Sequence, residues 1–317
     1  MITDKLSQVS GFDLPVLTSN NKVTRVLTAA LRERDILHAA RADSNPIYWQ
    51  ADYFDLDRVS IFQDASEPEQ RQILQQLNQD LLQESLAIEQ AGVGYMAKMV
   101  LMAESSQERL LYSLFTADET SHLVQLQPYG AAYGPSIDAP PKVLDPFLQL
   151  LADIVESTDK ALLLFVLQVV LEGWGLTHYR RLAGGCKDNS LRELFRSFLQ
   201  VESRHHGAGV TLFRQSYNQS HLSSSSQSAI VDCLASFLQM VRVGPQRVVS
   251  AIATAKGHLS RPQRLQILQQ LDTVTHSHQR LQLLRSLMAS TESSIVSELE
   301  HKGLFIPLSP EEAASYG

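Results

Sequence analysis

Two copies of one pattern constrain this chain more than any other feature of its sequence. In each copy, a Glu is followed thirty residues later by the motif Glu-x-x-His. Residues three positions apart lie on one face of a helix, so both side chains of the motif can bind the same metal ion. The copies consist of Glu89, Glu119 and His122, and of Glu172, Glu202 and His205. The repeat therefore predicts two equivalent sets of metal ligands.

Four long segments with helical periodicity carry these residues, and alternating strand patterns are nearly absent. Positions on two antiparallel helices meet when they are equidistant from the turn. The midpoint of residues 89 and 119 is residue 104, and that of residues 172 and 202 is residue 187, and both midpoints fall in breaks. Each Glu is thus expected to face its motif across a hairpin. The segments are residues 67–103, 106–127, 159–183 and 190–216.

Apolar residues flank the acidic ones at helical spacing, as Leu82 and Leu86 do before Glu89. The carboxylates are therefore expected on the core faces of their helices. An unpaired ionised carboxylate there costs several kcal/mol. The four Glu carry a charge of −4 and two divalent cations carry +4, so metal binding would remove that cost. Carboxylate and imidazole ligands without Cys favour iron or manganese over structural zinc.

Two alternatives compete with this ligand assignment. Glu84 lies thirty-five residues before Glu119 and rivals Glu89, but the symmetry about the turn favours Glu89. The other alternative is a metal-free bundle with buried ion pairs. A third Glu-x-x-His, Glu298 with His301, has Leu268 thirty residues before it and polar neighbours, so we interpret it as a surface coincidence.

Taken together, the motif resembles that of the ferritin-like di-metal carboxylate superfamily over residues 67–216, about half of the chain. The resemblance implies an all-α, ferritin-like four-helix bundle with two iron ions, or one manganese and one iron. The local sequences Asp118-Glu119-x-x-His122 and Glu202-x-Arg204-His205 also resemble the bacterial di-iron monooxygenases. By that analogy, Asp118 would accept a hydrogen bond from a ligand imidazole such as His205, and Arg204 would hold Asp118.

The chain departs from these families, so the subfamily stays open. Val201 and Ser121 stand in place of the monooxygenases' second Asp and second Arg, and Phe198 stands in place of the extra His of the arylamine N-oxygenases. His206 as an additional ligand also stays open, because it points about 100° away from His205 on an ideal helix. His178, six residues past Glu172, is off that residue's face and is expected in solvent or at the helix end.

The remaining residues are expected to add helices on both sides of the bundle. Residues 44–64 are rich in aromatic residues and are expected to pack on the bundle, and residues 221–228 read as a polar linker. The predicted organisation is 1–66 as an N-terminal helix, within residues 22–43, and a connector, 67–218 as the bundle, 229–300 as C-terminal helices, and 301–317 as a tail.

The composition of the chain excludes some classes of binding partner. The net charge is −7 and no basic stripe is visible, so nucleic acid is not an expected partner. Two Cys and no leader pattern favour the reducing cytoplasm. The longest apolar stretch, residues 161–171, contains Gln168, so no membrane span is expected.

The resemblance implies a non-haem di-iron oxygenase or oxidase. In such an enzyme, Glu119 and Glu202 would be the carboxylates that change their mode of metal binding during the reaction. The substrates would be O₂ and a small organic molecule, and the electron donor would be a ferredoxin or a reductase. A homodimer is compatible with this function. Four glycines near the ligands favour substrate oxidation, because they would leave room for a substrate: Gly92, Gly94, Gly173 and Gly175. The alternatives are a ferroxidase without an organic substrate and a metal-free interaction module that binds through residues 224–300.

Overall fold

A computed structural model of the chain describes residues 9–34, 46–132, 145–217 and 222–316, and every regular element in these ranges is a helix. The predicted all-α fold is confirmed, with helices before and after two long hairpins. The helices are α1 Lys22–Glu33, α2 Ser60–Gln63, α3 Glu67–Met102, α4 Ser106–Ala131, α5 Pro146–Glu156, α6 Lys160–Gly185, α7 Asn189–Tyr217, α8 Ser224–Val243, α9 Gln246–Lys256, α10 Arg261–Gln270, α11 Thr273–Ala289, α12 Ser293–His301 and α13 Pro310–Ala313, with 3-10 turns at Ala51–Phe54 and Leu56–Arg58.

The chain forms two compact units, and each is built from two separate stretches of sequence. The first unit comprises Met1–Pro46 and Gln79–Ser157, and the second comprises Ile47–Asn78 and Thr158–Gly317. The first unit therefore holds α4 and the part of α3 from Gln79 onward, and the second holds the α6–α7 hairpin. The predicted domain boundaries stay a prediction.

Reciprocal capping sets the turn of the first hairpin at the predicted position. The Ser105 hydroxyl accepts a hydrogen bond from the Glu108 backbone N–H at 3.1 Å, and the Glu108 carboxylate accepts one from the Glu104 N–H at 2.8 Å. The predicted end of α4 at residue 127 is wrong, because the helix continues through Pro128 to Ala131. Proline so close to a helix end breaks only the last turn.

The second hairpin turns at Cys186–Asp188. The Arg192 guanidinium donates to the Cys186 carbonyl, and the Asp188 carboxylate accepts from the Leu191 N–H at 2.7 Å. Helix α6 is not α-helical throughout, because Leu163–Leu171 form a π-helix. No feature of the sequence had indicated that change of winding.

A buried amide fixes the aromatic connector within the second unit. The Asn78 side-chain oxygen accepts from the backbone N–H groups of Tyr48 and Trp49, both at 2.8 Å, and its NH₂ donates to the carbonyls of Trp49 and Leu74. The Trp49 indole donates to the Leu182 carbonyl at 2.9 Å. The connector thus contacts the second hairpin through Trp49.

Three boundary predictions differ from the structure. Predicted helix 22–43 ends at Glu33, and residues 35–45 lie outside the described ranges. The predicted linker becomes helical from Ser224, because the Ser223 hydroxyl accepts from the Ser226 N–H and starts α8. The predicted tail packs into the core of the second unit, since its apolar residues Leu308 and Ala313 lie against the cluster around Ile252.

One helix among the described residues, α6, is long and apolar enough to cross a membrane by length and composition. However, 61% of its most apolar window is buried in the protein. Gln168 lies within it, fully buried and hydrogen-bonded to the neighbouring helix. The burial favours a core helix over a membrane span, and the cytoplasmic location stays a prediction.

We expect Asn78→Ala to lower the free energy of unfolding by about 2–4 kcal/mol, because it leaves two buried backbone N–H groups without an acceptor. Urea unfolding followed by Trp fluorescence measures the change. Gln72→Ala, an exposed position on the same helix, is the matched control and should change stability little. Equal midpoints for the two variants would show that the amide does not hold the connector.

Candidate metal centre

The first unit buries a Glu–Glu–His triad between the two helices of its hairpin. Glu89 on α3 is 1% exposed, and Glu119 and His122 on α4 are 3% and 4% exposed. One ligand atom from each of these residues lies within 4.8 Å of the others. His122 Nδ1 is 3.1 Å from Glu89 Oε2, so the imidazole and the carboxylate are in direct contact. The structure thus brings together all three residues of the first predicted set.

A glycine makes room for one carboxylate of this triad. A Cβ built at Gly92 would lie 2.5 Å from Oε2 and 2.8 Å from Cδ of Glu119. No real Cβ tolerates such a contact, so the Glu119 carboxylate occupies the space that a side chain at position 92 would fill. Gly92 lies three residues after Glu89 and therefore on the same face of α3.

The second unit contains the equivalent triad in its own hairpin. Glu202 and His205 on α7 are 4% and 0% exposed, and Glu172 on α6 is half-buried. One ligand atom from each lies within 4.8 Å of the others. His205 Nδ1 is 3.1 Å from Glu202 Oε2, within a single Glu-x-x-His motif. In the first unit the corresponding contact crosses the hairpin instead.

The π-helix positions the second triad. Gln168 lies in its last turn, four residues before Glu172, and its amide donates to the His205 carbonyl at 3.3 Å. His206 Nδ1 donates to the Gln168 carbonyl at 3.1 Å. These two contacts fix the position of α6 along the axis of α7. They therefore also fix the position of Glu172 relative to His205. They also commit Nδ1 of His206 to the backbone, so that atom is not an additional ligand.

The ligand spacing fits one metal ion per triad. Two donors that each lie about 2.1 Å from an ion and subtend a right angle are about 3.0 Å apart. The His122–Glu89 and His205–Glu202 contacts, both 3.1 Å, match that separation. Each triad also places two carboxylates beside one imidazole, and three of the four carboxylates are buried, an arrangement that a divalent cation stabilises. The residues therefore fit a metal ion in both units.

The other predicted residues are placed less specifically. Asp118 is half-buried beside Glu119, whereas Arg204 is exposed on α7. Their roles around the ligands stay a prediction. Glu84 is half-buried and belongs to neither metal-binding group, which favours Glu89. His301 is exposed, as expected for a surface coincidence.

The glycines do not leave the space that the sequence predicted. The position facing Gly92 is filled by Glu119, that facing Gly94 by the Val9 carbonyl, and that facing Gly173 by His206 and Leu287. Only Gly175 has open space beside it, with no atom within 4 Å of a built Cβ. Small residues permit close packing as readily as they permit a cavity, and a sequence does not distinguish the two.

Comparison with protein-family models, with curated proteins and with solved structures returns no match for this chain. The resemblance to the ferritin-like superfamily therefore depends on the ligand motif and on the helical hairpins that carry it.

We expect Mn²⁺ or anaerobic Fe²⁺ to raise the melting temperature, because an ion that binds only the folded chain stabilises it by about 2.7 kcal/mol at a hundredfold excess over Kd. His205→Ala should abolish most of that increase by removing a ligand. His301→Ala removes the histidine of an exposed Glu-x-x-His motif and should leave it unchanged. Scanning calorimetry with and without metal measures the difference. The same increase in both variants would contradict the ligand assignment.

We expect Gly92→Ala to weaken metal binding, because its methyl group must displace the Glu119 carboxylate. Gly175→Ala, on α6, meets no atom within 4 Å and should stabilise the helix by about 0.5–1 kcal/mol without changing metal affinity. Metal titration of both variants by calorimetry measures the affinities. Unchanged affinity in Gly92→Ala would show that Glu119 is not held where a metal ion needs it.

Proposed function

We propose that this protein is a di-metal oxidoreductase that activates O₂ to oxidise a small organic substrate, with one metal ion bound by each triad. The observation that carries the proposal is the pair of Glu–Glu–His triads, one in each of two helical hairpins, with five of their six residues buried. The proposal requires the two ions to lie close enough to react jointly with one O₂, as the repeated motif predicts.

The donor set supports iron or manganese. Each triad offers carboxylate oxygens and one imidazole, and neither Cys lies in a metal-binding group. Such ligands suit redox-active iron and manganese, whereas structural zinc prefers four ligands rich in Cys and His. Three protein ligands leave coordination positions for O₂ or for a substrate.

When bound, two redox-active ions would supply the electrons that reduce O₂. Insertion of one oxygen atom into a C–H bond consumes one O₂, two electrons and two protons, and releases one water. The two electrons must come from outside the chain, so the proposal includes a reductase or ferredoxin as electron donor. A homodimer stays a compatible assembly.

The residues of the chain have three tasks in this reaction. Glu89 and His122 would hold one ion, Glu172 and His205 would hold the other, and Glu119 and Glu202 would be the carboxylates that adapt to a change in the charge of the ions. The aromatic residues beside the triads exclude water from the reacting atoms. These buried aromatic residues are Tyr112 and Phe115 on α4, and Phe195 and Phe198 on α7.

A second candidate is a ferroxidase, which oxidises Fe²⁺ itself. The filled space at Gly92, Gly94 and Gly173 favours it, because the sequence argument for a substrate cavity depended on those glycines. The packed helices from α8 to α13 favour the organic oxidation, since a four-helix ferroxidase needs none of them. Stoichiometry separates the two, because a ferroxidase turns over many Fe²⁺ per chain without an added reductant.

The decisive experiment loads the protein with two Fe²⁺ per chain without oxygen, admits O₂, and records absorption and EPR spectra. We expect O₂-dependent oxidation to a coupled diferric pair, which gives no EPR signal because the two spins cancel. Glu119→Ala and His205→Ala should abolish the coupled pair, and His301→Ala should retain it.

Two results would overturn the proposal. An EPR signal from isolated ferric ions would show that the triads bind metal separately and do not act on one O₂. Retention of the coupled pair in Glu119→Ala and His205→Ala would show that the iron lies elsewhere. Continued oxidation of excess Fe²⁺ without a reductant would select the ferroxidase.

A further inference from the structure

A second cluster of polar residues lies in the second unit, on a different face of α6 from Glu172. His178 and Arg181 are three residues apart and therefore share a face of that helix. Helix α11 packs against α6 and carries Arg280. The Arg181 guanidinium lies over the Tyr53 ring, 5.9 Å from its centroid, in a cation–π contact. His178 is six residues past Glu172, about 9 Å farther along the helix axis.

Within the described ranges, no carboxylate forms an ion pair with either arginine. Among the described residues, neither Arg181 nor Arg280 makes a hydrogen bond or an ion pair within contact distance. Other arginines of the same unit do, as Arg285 on α11 shows with Glu300 at 2.6 Å. Asp55 pairs with His276 Nε2 at 3.7 Å, and it raises the pKa of Arg280 by less than burial and Arg181 lower it.

The charge of Arg280 is also unfavourably placed. Burial lowers its pKa, and repulsion by Arg181 lowers it further. A partly buried cation without a counter-charge costs free energy that the fold does not recover. A half-buried Arg280 beside the exposed guanidinium of Arg181 is therefore better explained by an anion that binds there than by packing alone.

His178 supplies an independent indication. Its Nε2 is buried and has no hydrogen-bond partner, although buried polar atoms are almost always paired. The ring stacks on Trp174, with the centroids 6.4 Å apart, so its orientation is fixed. Burial and the two arginines lower the pKa of His178 to about 4, and the imidazole is neutral at pH 7. In the tautomer that carries its proton on Nε2, the neutral imidazole offers a buried donor to a ligand. The sequence predicted this residue in solvent or at the helix end.

We propose that Arg181, Arg280 and His178 form a binding site for an oxyanion, with a dianionic phosphate group preferred over a single carboxylate. Guanidinium groups present paired N–H donors that match phosphate oxygens, and the imidazole adds a third direction of approach. Tyr53 is a positioning residue that holds Arg181 through its ring. The phosphate is either free or carried as a monoester by a small molecule.

The site is independent of the proposed metal chemistry, so its test uses the full chain treated with a chelator. Removing metal matters because phosphate also binds iron. Isothermal titration at about pH 7.5, where a phosphate monoester is mostly dianionic, compares inorganic phosphate, glycerol phosphate and acetate at constant ionic strength. We expect saturable binding of both phosphates and weaker binding of acetate. Tighter binding of glycerol phosphate than of inorganic phosphate would identify a monoester as the ligand.

Arg280→Gln should weaken phosphate binding about tenfold or more, because it removes a charge-assisted contact. Arg285→Gln is the matched control on the same helix, since that arginine already pairs with Glu300, and it should bind phosphate like the parent. Arg181 is exposed, so Arg181→Gln should fold normally and gives a second measurement if Arg280→Gln does not fold. Absence of saturable binding to the folded parent, or equal binding by the parent and Arg181→Gln, overturns the proposal.

Discussion

The burial of negative charge in two helical hairpins is the constraint on which the rest of the structure depends. Glu89, Glu119 and Glu202 are almost fully enclosed, and Glu89 and Glu202 each contact an imidazole at 3.1 Å. Enclosed carboxylates are tolerated when protons, cations or metal ions balance them. The 3.1 Å contacts match the separation of neighbouring ligands on one ion, which makes metal the most economical balance.

The surrounding packing serves the same constraint. Gly92 lets a carboxylate approach the opposite helix, and Gln168 fixes the two helices of the second hairpin at a set height. The Gln168 carbonyl, which lies in the π-helix, also accepts a hydrogen bond from His206 Nδ1. Wide helical turns of this kind are rare and often occur beside functional sites. The positions of the ligands thus depend on backbone features as much as on the ligands themselves.

The sequence predicted the long helices, the turn of the first hairpin and the residues that form the two triads. These features depend on helical periodicity and on equal distances from a turn, and a sequence shows both. The sequence did not predict the π-helix, the continuation of α4 past Pro128 or the packing of Leu308. We attribute these features to contacts with residues distant along the chain. Gly92 was singled out but misread, since a missing side chain does not reveal which atom takes its place. The burial of His178 Nε2 was not predicted, because α11 packs against α6 from a position remote in sequence.

The interrupted order of the two units has a consequence for synthesis on the ribosome. The first unit is complete once Ser157 has emerged, so the triad of Glu89, Glu119 and His122 can assemble early. Residues 47–78 belong to the second unit, and Leu56, Val59 and Phe62 among them share a core with Leu308 and Ala314. These three residues must therefore wait, exposed, until residues 308–314 have been made. Until then the nascent protein carries an apolar segment that invites chaperones or aggregation.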